Sequence, residues 1–431
     1  MLENLCTLPV AAHIQEFAVH PTEPLLSVGL VNGRVSTYRL PSGRDGAVDS
    51  NEDVGTSTGQ IGLIHEAWTT KRHKGSCRCI AYAHDGSSRT PFPSVTAFSD
   101  PALLAAYSAG TDGVIKQFDP QSGVVASKIN LPTFSRSEPV DPAVMEVLTP
   151  KTILLGDDGG SMYIFDLREN HSINPKPARE HKPHRDFITS ITPLPATSTS
   201  SSGFPRQWVS TGGGRLAVSD IDSGAVATSE DQDDDLLCSV VIPTGMGPKK
   251  MRDNPVVVVG TTSGVLTLWD KGSWDDQQDR IHVTDGGRKA ADDLASLEAV
   301  VRVPEALGWG SKIVVGATDG SLSMVDLRRR DVHHILNHDD IDGVVAVAFD
   351  CENRLISAGG KMVKVWQENS DITGGEDEPA QRGTKHDAED SSESGDSADS
   401  DAEPAERKKK KKRRKGFAAR GGGQAAFPGL D

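Results

Sequence analysis

The sequence lacks a long apolar run, a cysteine framework and a Gly-X-Y period, and each absence argues against a class of protein. Its most apolar short run, Val256–Val259, is far shorter than the roughly 20 residues that a membrane-spanning helix needs. The five cysteines are an odd number without framework spacing, which favours a reducing compartment. Because Glu3 stands where a secretory signal would be basic, we also expect no signal peptide.

Charge is distributed unevenly along the 431 residues, whose net charge is −15. Residues 1–370 carry a net charge of −13, and residues 371–406 carry 13 acidic and 2 basic groups. Residues 407–420 carry 10 basic groups and no acidic one. Runs of like charge repel one another and bury little apolar surface. We therefore predict a globular part over 1–370, an acidic disordered linker over 371–406 and a basic, glycine-rich disordered tail over 407–431.

One pattern recurs seven times in the globular part: an apolar run, a turn with glycine, and a strand that ends in an aromatic or apolar residue. The copy VVVVGTTSGVLTLWD at 256–270 shows every part. The turn positions lie 41 to 80 residues apart, at Gly33, Gly113, Gly160, Gly214, Gly264, Gly320 and Lys361. A period near 40–45 residues is typical of a β-propeller blade, and inserted loops lengthen it.

Each copy predicts a hairpin of two strands. The apolar run indicates a strand buried on both faces, and the glycine supplies the positive φ of a tight turn. The second strand alternates, so we expect one of its faces to be more exposed. A further strand precedes most hairpins, at Ile14–Val19, Cys77–Ala83, Ile188–Thr192, Leu237–Ile242, Leu297–Val303 and Val344–Phe349.

The seven copies resemble the WD-repeat family of β-propellers. The Trp-Asp pair of that family is literal at Trp269-Asp270, with weaker versions at Phe118-Asp119, Phe165-Asp166 and Val325-Asp326. Three histidines stand where the family has Gly-His, although no glycine precedes them in this chain: His73, His184 and His338. The resemblance implies an all-β, seven-bladed WD-repeat β-propeller. It also implies that the N-terminal segment Leu5–Val10 closes the last blade and removes an open sheet edge.

The residue patterns of enzymes are missing. Neither a phosphate-binding loop nor a G-x-S-x-G elbow is present, so we predict that the protein is not an enzyme and needs no cofactor.

Three clusters could suggest a metal, and we interpret each as structural. Strand alternation would place Cys77 and Cys79 on one face between His73 and His84, but C-x-C is not the usual zinc spacing. A packed strand is therefore the favoured interpretation. We interpret the pair 333–334, two histidines near His338, as part of a polar loop. The run 231–235 (DQDDD) is predicted to be a solvated loop, because it lacks the glycine that curves a calcium loop.

Two copies end in Asp-Leu-Arg, at 166–168 and 326–328. In some WD-repeat proteins W-D-x-R docks on the adaptor of a cullin-RING ubiquitin ligase, but Phe165 and Val325 replace the tryptophan in this chain. We favour solvated arginines at blade edges and keep adaptor docking through Arg168 and Arg328 as the alternative.

The C-terminal tail contains nine consecutive cations: Arg407, Lys408, Lys409, Lys410, Lys411, Lys412, Arg413, Arg414 and Lys415. Such a run suits the acidic groove of a nuclear import receptor or an RNA backbone. Ser400 is followed by Asp401 and Glu403, which predicts phosphorylation by an acid-directed kinase. A phosphate would add about −1.5 to −2 charges beside the basic run.

A propeller with this tail resembles the nucleolar WD-repeat proteins of the WD repeat-containing protein 55 type, including their fungal relatives. The likeness is carried by the entry into the first blade at His13–Val19, the two Asp-Leu-Arg blade ends, VKVW at 363–366 and the lysine-rich run before Phe417. It implies a non-catalytic scaffold of the nucleus and nucleolus, acting in ribosomal RNA processing and large-subunit assembly. The propeller would bind partner proteins, and the tail an import receptor and pre-ribosomal RNA. No membrane and no small-molecule substrate are expected. The alternative function is a substrate receptor of a cullin-RING ligase.

Overall fold

Seven four-stranded antiparallel sheets follow one another along the chain. The computed structural model describes residues 2–41, 64–83, 105–133, 140–167, 176–196, 203–243, 255–284 and 295–368. The first strands of neighbouring sheets contact one another around a ring, so each sheet is a propeller blade whose first strand is innermost. The predicted all-β, seven-bladed propeller is confirmed. The predicted linker 371–406 and tail 407–431 lie outside the described residues.

In each of the first six blades, four strands run in chain order from the innermost to the outermost. Blade 1 has β2 (Ile14–Val19), β3 (Leu25–Leu30), β4 (Arg34–Arg39) and β5 (His65–Lys71). Blade 2 has β6 (Cys77–Tyr82), β7 (Ala106–Gly110), β8 (Val114–Phe118) and β9 (Val125–Asn130). Blade 3 has β10 (Pro142–Thr149), β11 (Thr152–Asp157), β12 (Met162–Asp166) and β13 (Arg179–His181). Blade 4 has β14 (Ser190–Pro193), β15 (Gln207–Gly212), β16 (Arg215–Asp220) and β17 (Gly224–Thr228).

The remaining blades keep this arrangement, except that the last one takes its outermost strand from the N-terminus. Blade 5 has β18 (Leu236–Ile242), β19 (Val256–Thr261), β20 (Val265–Asp270) and β21 (Asp276–His282). Blade 6 has β22 (Leu297–Arg302), β23 (Lys312–Ala317), β24 (Ser321–Asp326) and β25 (Asp331–Asn337), with a short 3-10 helix at Glu305–Leu307. Blade 7 has β26 (Val344–Phe349), β27 (Leu355–Gly359) and β28 (Met362–Glu368), and its outermost strand is β1 (Leu2–Pro9).

The N-terminal strand completes the last blade. β1 runs antiparallel to β28, from Leu2 opposite Glu368 to Pro9 opposite Met362. The chain then enters β2 of blade 1, so one covalent segment joins the last blade to the first. This pairing covers a strand edge that would otherwise be free to pair with another chain.

The core is divided among the seven blade interfaces. Each interface holds one cluster of buried side chains drawn from the two blades that meet there. Each blade therefore buries both of its faces. The third strands show the consequence, because the four middle residues of β20 are all buried. The expectation of a more exposed face was therefore wrong for β4, β12, β16, β20 and β24. It holds in part for β8 and β28, where buried and partly buried residues alternate. Full alternation appears in an outermost strand, β25, which has solvent beside it.

Two features of the hairpin turns require glycine: a positive φ and the lack of space for a Cβ. Gly33 has φ 77°, a conformation that residues with a Cβ rarely adopt. A Cβ there would also collide with the carbonyl oxygens of His73 and Gly75. In the two-residue turns of blades 4 and 7 the positive φ belongs to Gly213 and Gly360, one position before the Gly214 and Lys361 that the repeat alignment predicted.

Innermost strands carry a recurrent irregularity near their start. Six of the seven show a register shift there, as between Cys77 and Cys79 of β6. The extra residue of such a bulge turns the side chains around it. Cys77 therefore packs at the blade 1–2 interface and Cys79 at the blade 2–3 interface. The prediction that both cysteines share one face was wrong.

Candidate binding surfaces

The connections between successive blades lie at one end of the ring. We call it the crossover face, since the chain passes there from the outermost strand of one blade to the innermost strand of the next. The turns between second and third strands, the hairpin turns, lie at the same end. Gly33 of one hairpin turn packs beneath the connection 72–76, and Gly320 of another packs beneath the connection 338–343. Each such contact ties a turn to the connection that follows it.

A buried histidine holds the connection into blade 2. His73 is 1% exposed, its Nδ1 lies 2.8 Å from Asp112 Oδ1, and its Nε2 lies 2.9 Å from Ser108 Oγ. A neutral ring that donates from Nδ1 and accepts at Nε2 satisfies both neighbours. Burial lowers the pKa of His73, which agrees with that neutral form. Asp112 also accepts from the Lys74 amide at 3.1 Å, so the connection and the hairpin turn are linked twice.

In two further blades a buried histidine contacts a serine hydroxyl through one ring nitrogen. His184 Nε2 lies 2.8 Å from Ser210 Oγ. In blade 7, His338 Nδ1 lies 2.8 Å from Ser357 Oγ, and the same oxygen accepts a hydrogen bond from Trp366 Nε1 at 2.8 Å. These networks form although no glycine precedes the histidines. Burial lowers the pKa of His184 to about 4, so its ring is neutral at pH 7.

The predicted solvated loop 231–235 is confirmed as part of the exposed connection into blade 5. Asp234 anchors it, since one of its oxygens accepts from the Thr262 hydroxyl at 2.5 Å and the other from Ser263. Asp231 lies 3.4 Å from Nε of Arg215. The loop therefore presents carboxylates on an ordered backbone.

The opposite face carries a turn with three arginines. Residues 328–330 connect β24 to β25 and are exposed. Asp326 Oδ1 accepts from the Arg328 amide at 2.9 Å and the Arg329 amide at 3.0 Å. Arg330 forms an ion pair with Asp279 of blade 5. The structure thus places Arg328 on a fixed, solvent-facing turn, whereas Arg168 lies outside the described residues.

The candidate metal clusters do not assemble where the structure describes them. Within the described part of the chain, no three His, Cys, Asp or Glu side chains are placed to hold a metal ion. His73 is engaged by Asp112 and Ser108, and His84 lies outside the described residues. His333 and His334 belong to strand β25 rather than to the predicted polar loop, so they point to opposite faces.

The basic run 407–415 and Ser400 also lie outside the described residues. No described helix has the length and apolar character that crossing a membrane requires.

Seven four-stranded blades, with the Trp-Asp pair at the end of β20, define a WD-repeat β-propeller. No family model matches the chain. It is similar to WD repeat-containing protein jip5 of Botryotinia fuckeliana, with 44% identity over 373 residues that cover 85% of this chain and 82% of the relative. The jip5 proteins of Emericella nidulans (41% over 379 residues, 87% of each chain) and Aspergillus niger (40% over 369 residues, 85% and 82%) are similar too. The chain belongs to the family of WD repeat-containing protein jip5.

Proposed function

We propose that this protein is a non-catalytic nucleolar scaffold in ribosome biogenesis, of the WD repeat-containing protein 55 type. The observation that carries the proposal is the run of nine cations at 407–415, joined to a closed propeller that offers ordered loops. The propeller binds partner proteins, and the tail binds an import receptor and pre-ribosomal RNA. Ribosomal RNA processing and large-subunit assembly are the steps in which we place it.

The charge distribution supports separate roles for the propeller and the C-terminal tail. The globular part has a net charge of −13, so as a whole it repels a phosphate backbone. The basic run can displace counterions from RNA, and an interface with six to ten phosphate contacts weakens about 10³-fold or more between 50 and 200 mM salt. RNA contact therefore belongs to the tail, and protein recognition belongs to the propeller.

Localisation tests the targeting role of the tail. A tagged full-length chain is compared with a chain ending at Asn369 and with one whose residues 407–415 are replaced by glutamine. We expect the full chain in the nucleolus and both variants outside it. The glutamine variant keeps the length of the tail, so it distinguishes the effect of the lost charge from the effect of the missing residues. Nucleolar accumulation of both variants would refute the targeting role.

Co-sedimentation tests the ribosomal role. We expect the full chain to travel with pre-ribosomal particles at low salt and to dissociate as salt rises. The glutamine variant, forced into the nucleus by an unrelated targeting sequence, should lose the salt-sensitive part. A full chain that never travels with these particles would overturn the proposed role in ribosome biogenesis.

We propose one second candidate, a substrate receptor of a cullin-RING ligase. The exposed, Asp326-anchored turn that carries Arg328 favours it. Pull-down of the ligase adaptor, lost in Arg168→Ala plus Arg328→Ala and kept in Arg329→Ala, would support this candidate. Failure of the wild-type chain to retain the adaptor would dismiss it.

A further inference from the structure

The crossover face over blades 7 and 1 carries exposed aliphatic side chains. Ile341, in the connection into blade 7, is 90% exposed, Val345 of β26 is 38% exposed, and Val31 of the blade 1 hairpin turn is 45% exposed. Eight large hydrophobic side chains are exposed in the described ranges, and these three and Phe187 lie on this one face. Apolar surface that gathers inside a polar rim is typical of an interaction site.

Ordered backbone holds these side chains in place. The Ile341 amide donates to Asp339 Oδ1 at 2.9 Å. Val345 is the extra residue of the register shift in β26, and such a bulge re-aims a side chain. The Val31 amide donates to the His13 carbonyl at 3.0 Å. A partner would therefore bind them without first ordering a loop, which limits the entropic cost of association.

Contacts between loops make the surface continuous from blade 6 to blade 1. Gly320 of blade 6 packs against the backbone of Asp339 and Asp342. The carboxylate of Asp342 in turn lies over Gly360, the hairpin turn of blade 7. The Gly360 carbonyl accepts from the Ile14 amide at 2.8 Å at the start of blade 1. The exposed aliphatic residues thus lie on one surface.

The charge around this surface is mainly negative, although Lys361 of the blade 7 hairpin turn is exposed beside Gly360. Segments 229–235, 318–320 and 338–343 of the crossover face contain nine acidic residues and no basic one. Segments 72–76, 110–113, 157–160 and 182–189, on the other side of the same face, contain four basic and four acidic residues. The face is therefore polarised, and its acidic side is the one with Ile341.

We propose that this surface, the Ile341 patch, binds a lysine- and arginine-rich segment of a partner protein through a central aliphatic residue. The patch consists of Val31, Ile341 and Val345, and its rim contains four carboxylates (Asp319, Asp339, Asp340 and Asp342) against one cation, Lys361. The carboxylates attract cations and repel RNA, and the aliphatic centre requires an apolar residue. This inference rests on the proposed function, because proteins that contact RNA carry such basic segments.

A peptide titration tests the proposal on the full-length chain. The probe is a fluorescein-labelled peptide of about twelve lysines and arginines with one central leucine, followed by anisotropy at physiological salt. The control peptide has serine in place of leucine. We expect the leucine peptide to bind at least about tenfold more tightly, since burying a leucine side chain supplies that much affinity.

Two variants locate the site on the protein. Ile341→Ser removes the apolar centre and should weaken binding of the leucine peptide about tenfold. Asp339→Asn plus Asp340→Asn keeps the hydrogen-bond acceptors and removes two charges, so it should weaken both peptides and lower their salt dependence. Matched controls are Ile335→Ser, an exposed isoleucine of the outermost strand β25, and Asp275→Asn plus Asp331→Asn on the opposite face. These should bind like the wild type.

Each outcome decides the proposal. Loss in the two patch variants but not in the controls supports it. Equal binding by Ile341→Ser and the wild type overturns it, because the peptide would then bind without the apolar centre of the patch. An Ile341→Ser variant that also loses a labelled poly-uridine RNA overturns the choice of a protein partner.

The test is separable from that of the proposed function. Peptide binding needs no ribosomal particle, so a negative titration leaves co-sedimentation unaffected. Specific peptide binding by a chain that never joins pre-ribosomal particles would refute the ribosomal role and leave the Ile341 patch intact.

Discussion

Leu2 lies opposite Glu368 in blade 7, so the first and last described residues of the chain are neighbours in one sheet. Leu2 is buried in the cluster between blades 6 and 7, together with Trp366. The beginning of the chain therefore supplies both a sheet edge and core side chains to the blade that is completed last. Ring closure depends on the contact between β1 and β28, which lie at opposite ends of the described chain. Interactions between residues close in sequence cannot supply this contact.

Truncation of Leu2 should weaken this closure. We expect Leu2→Ala to lower the free energy of unfolding by about 2 kcal/mol, the low end for a buried leucine, because a strand end can partly relax. Thermal unfolding followed by circular dichroism measures the change. Asn4→Ala, at an exposed position of the same strand, should leave the midpoint nearly unchanged. Equal midpoints for both variants would mean that β1 is not docked in solution.

The repeat pattern predicted the ring because each copy contains its own apolar run and its own turn residues, which are visible in a short stretch of sequence. It missed features that depend on neighbouring blades. The inner strand β10 was not predicted, since its sequence PAVMEVLT has no cue from an adjacent turn. The bulge that separates Cys77 from Cys79, and the exposure of Ile341, arise from how blades meet, and no spacing in the sequence encodes them. The anchored turn of Arg328 was signalled by its Asp-Leu-Arg motif.

Ser357 should couple His338 to Trp366 in blade 7. Ser357→Ala leaves a buried indole N–H and a ring nitrogen without their hydroxyl partner, which costs about 1–3 kcal/mol for each group left unpaired. Trp366→Phe removes the indole donor and part of a buried ring, and it leaves the histidine contact in place. Urea unfolding of both single variants and the double variant forms a cycle. Strict additivity of the two effects would argue against the network.

Acid should destabilise the protein through His184. Its pKa is lowered from 6.5 to about 4 by burial, so between these values the unfolded chain binds the proton and the folded chain does not. Stability contributed by the neutral ring is therefore complete above pH 6.5 and falls as pH decreases toward 4, by on the order of 3 kcal/mol. His184→Gln should flatten this slope in pH-dependent unfolding. His65→Gln, at an exposed position of β5, should keep it.

Glu16 should act in the opposite direction. Burial raises its pKa from 4.5 to about 7, and the charge of Glu146 adds to the rise, against a hydrogen bond from the Phe17 amide. Between these values the folded chain binds the proton and the unfolded chain does not, so stability falls as pH rises through 4.5 to 7 and stays lower above pH 7.

Glu16→Gln keeps an acceptor for the Phe17 amide and cannot ionise. We expect it to unfold at a higher temperature than the wild type at pH 8 and at a similar temperature near pH 4.5. Glu66→Gln, an exposed carboxylate of β5, serves as the control that should shift neither. If Glu16→Gln and the wild type keep the same difference at both pH values, then Glu16 has the same pKa in the folded and the unfolded chain, and the innermost strand of blade 1 carries a charge at neutral pH.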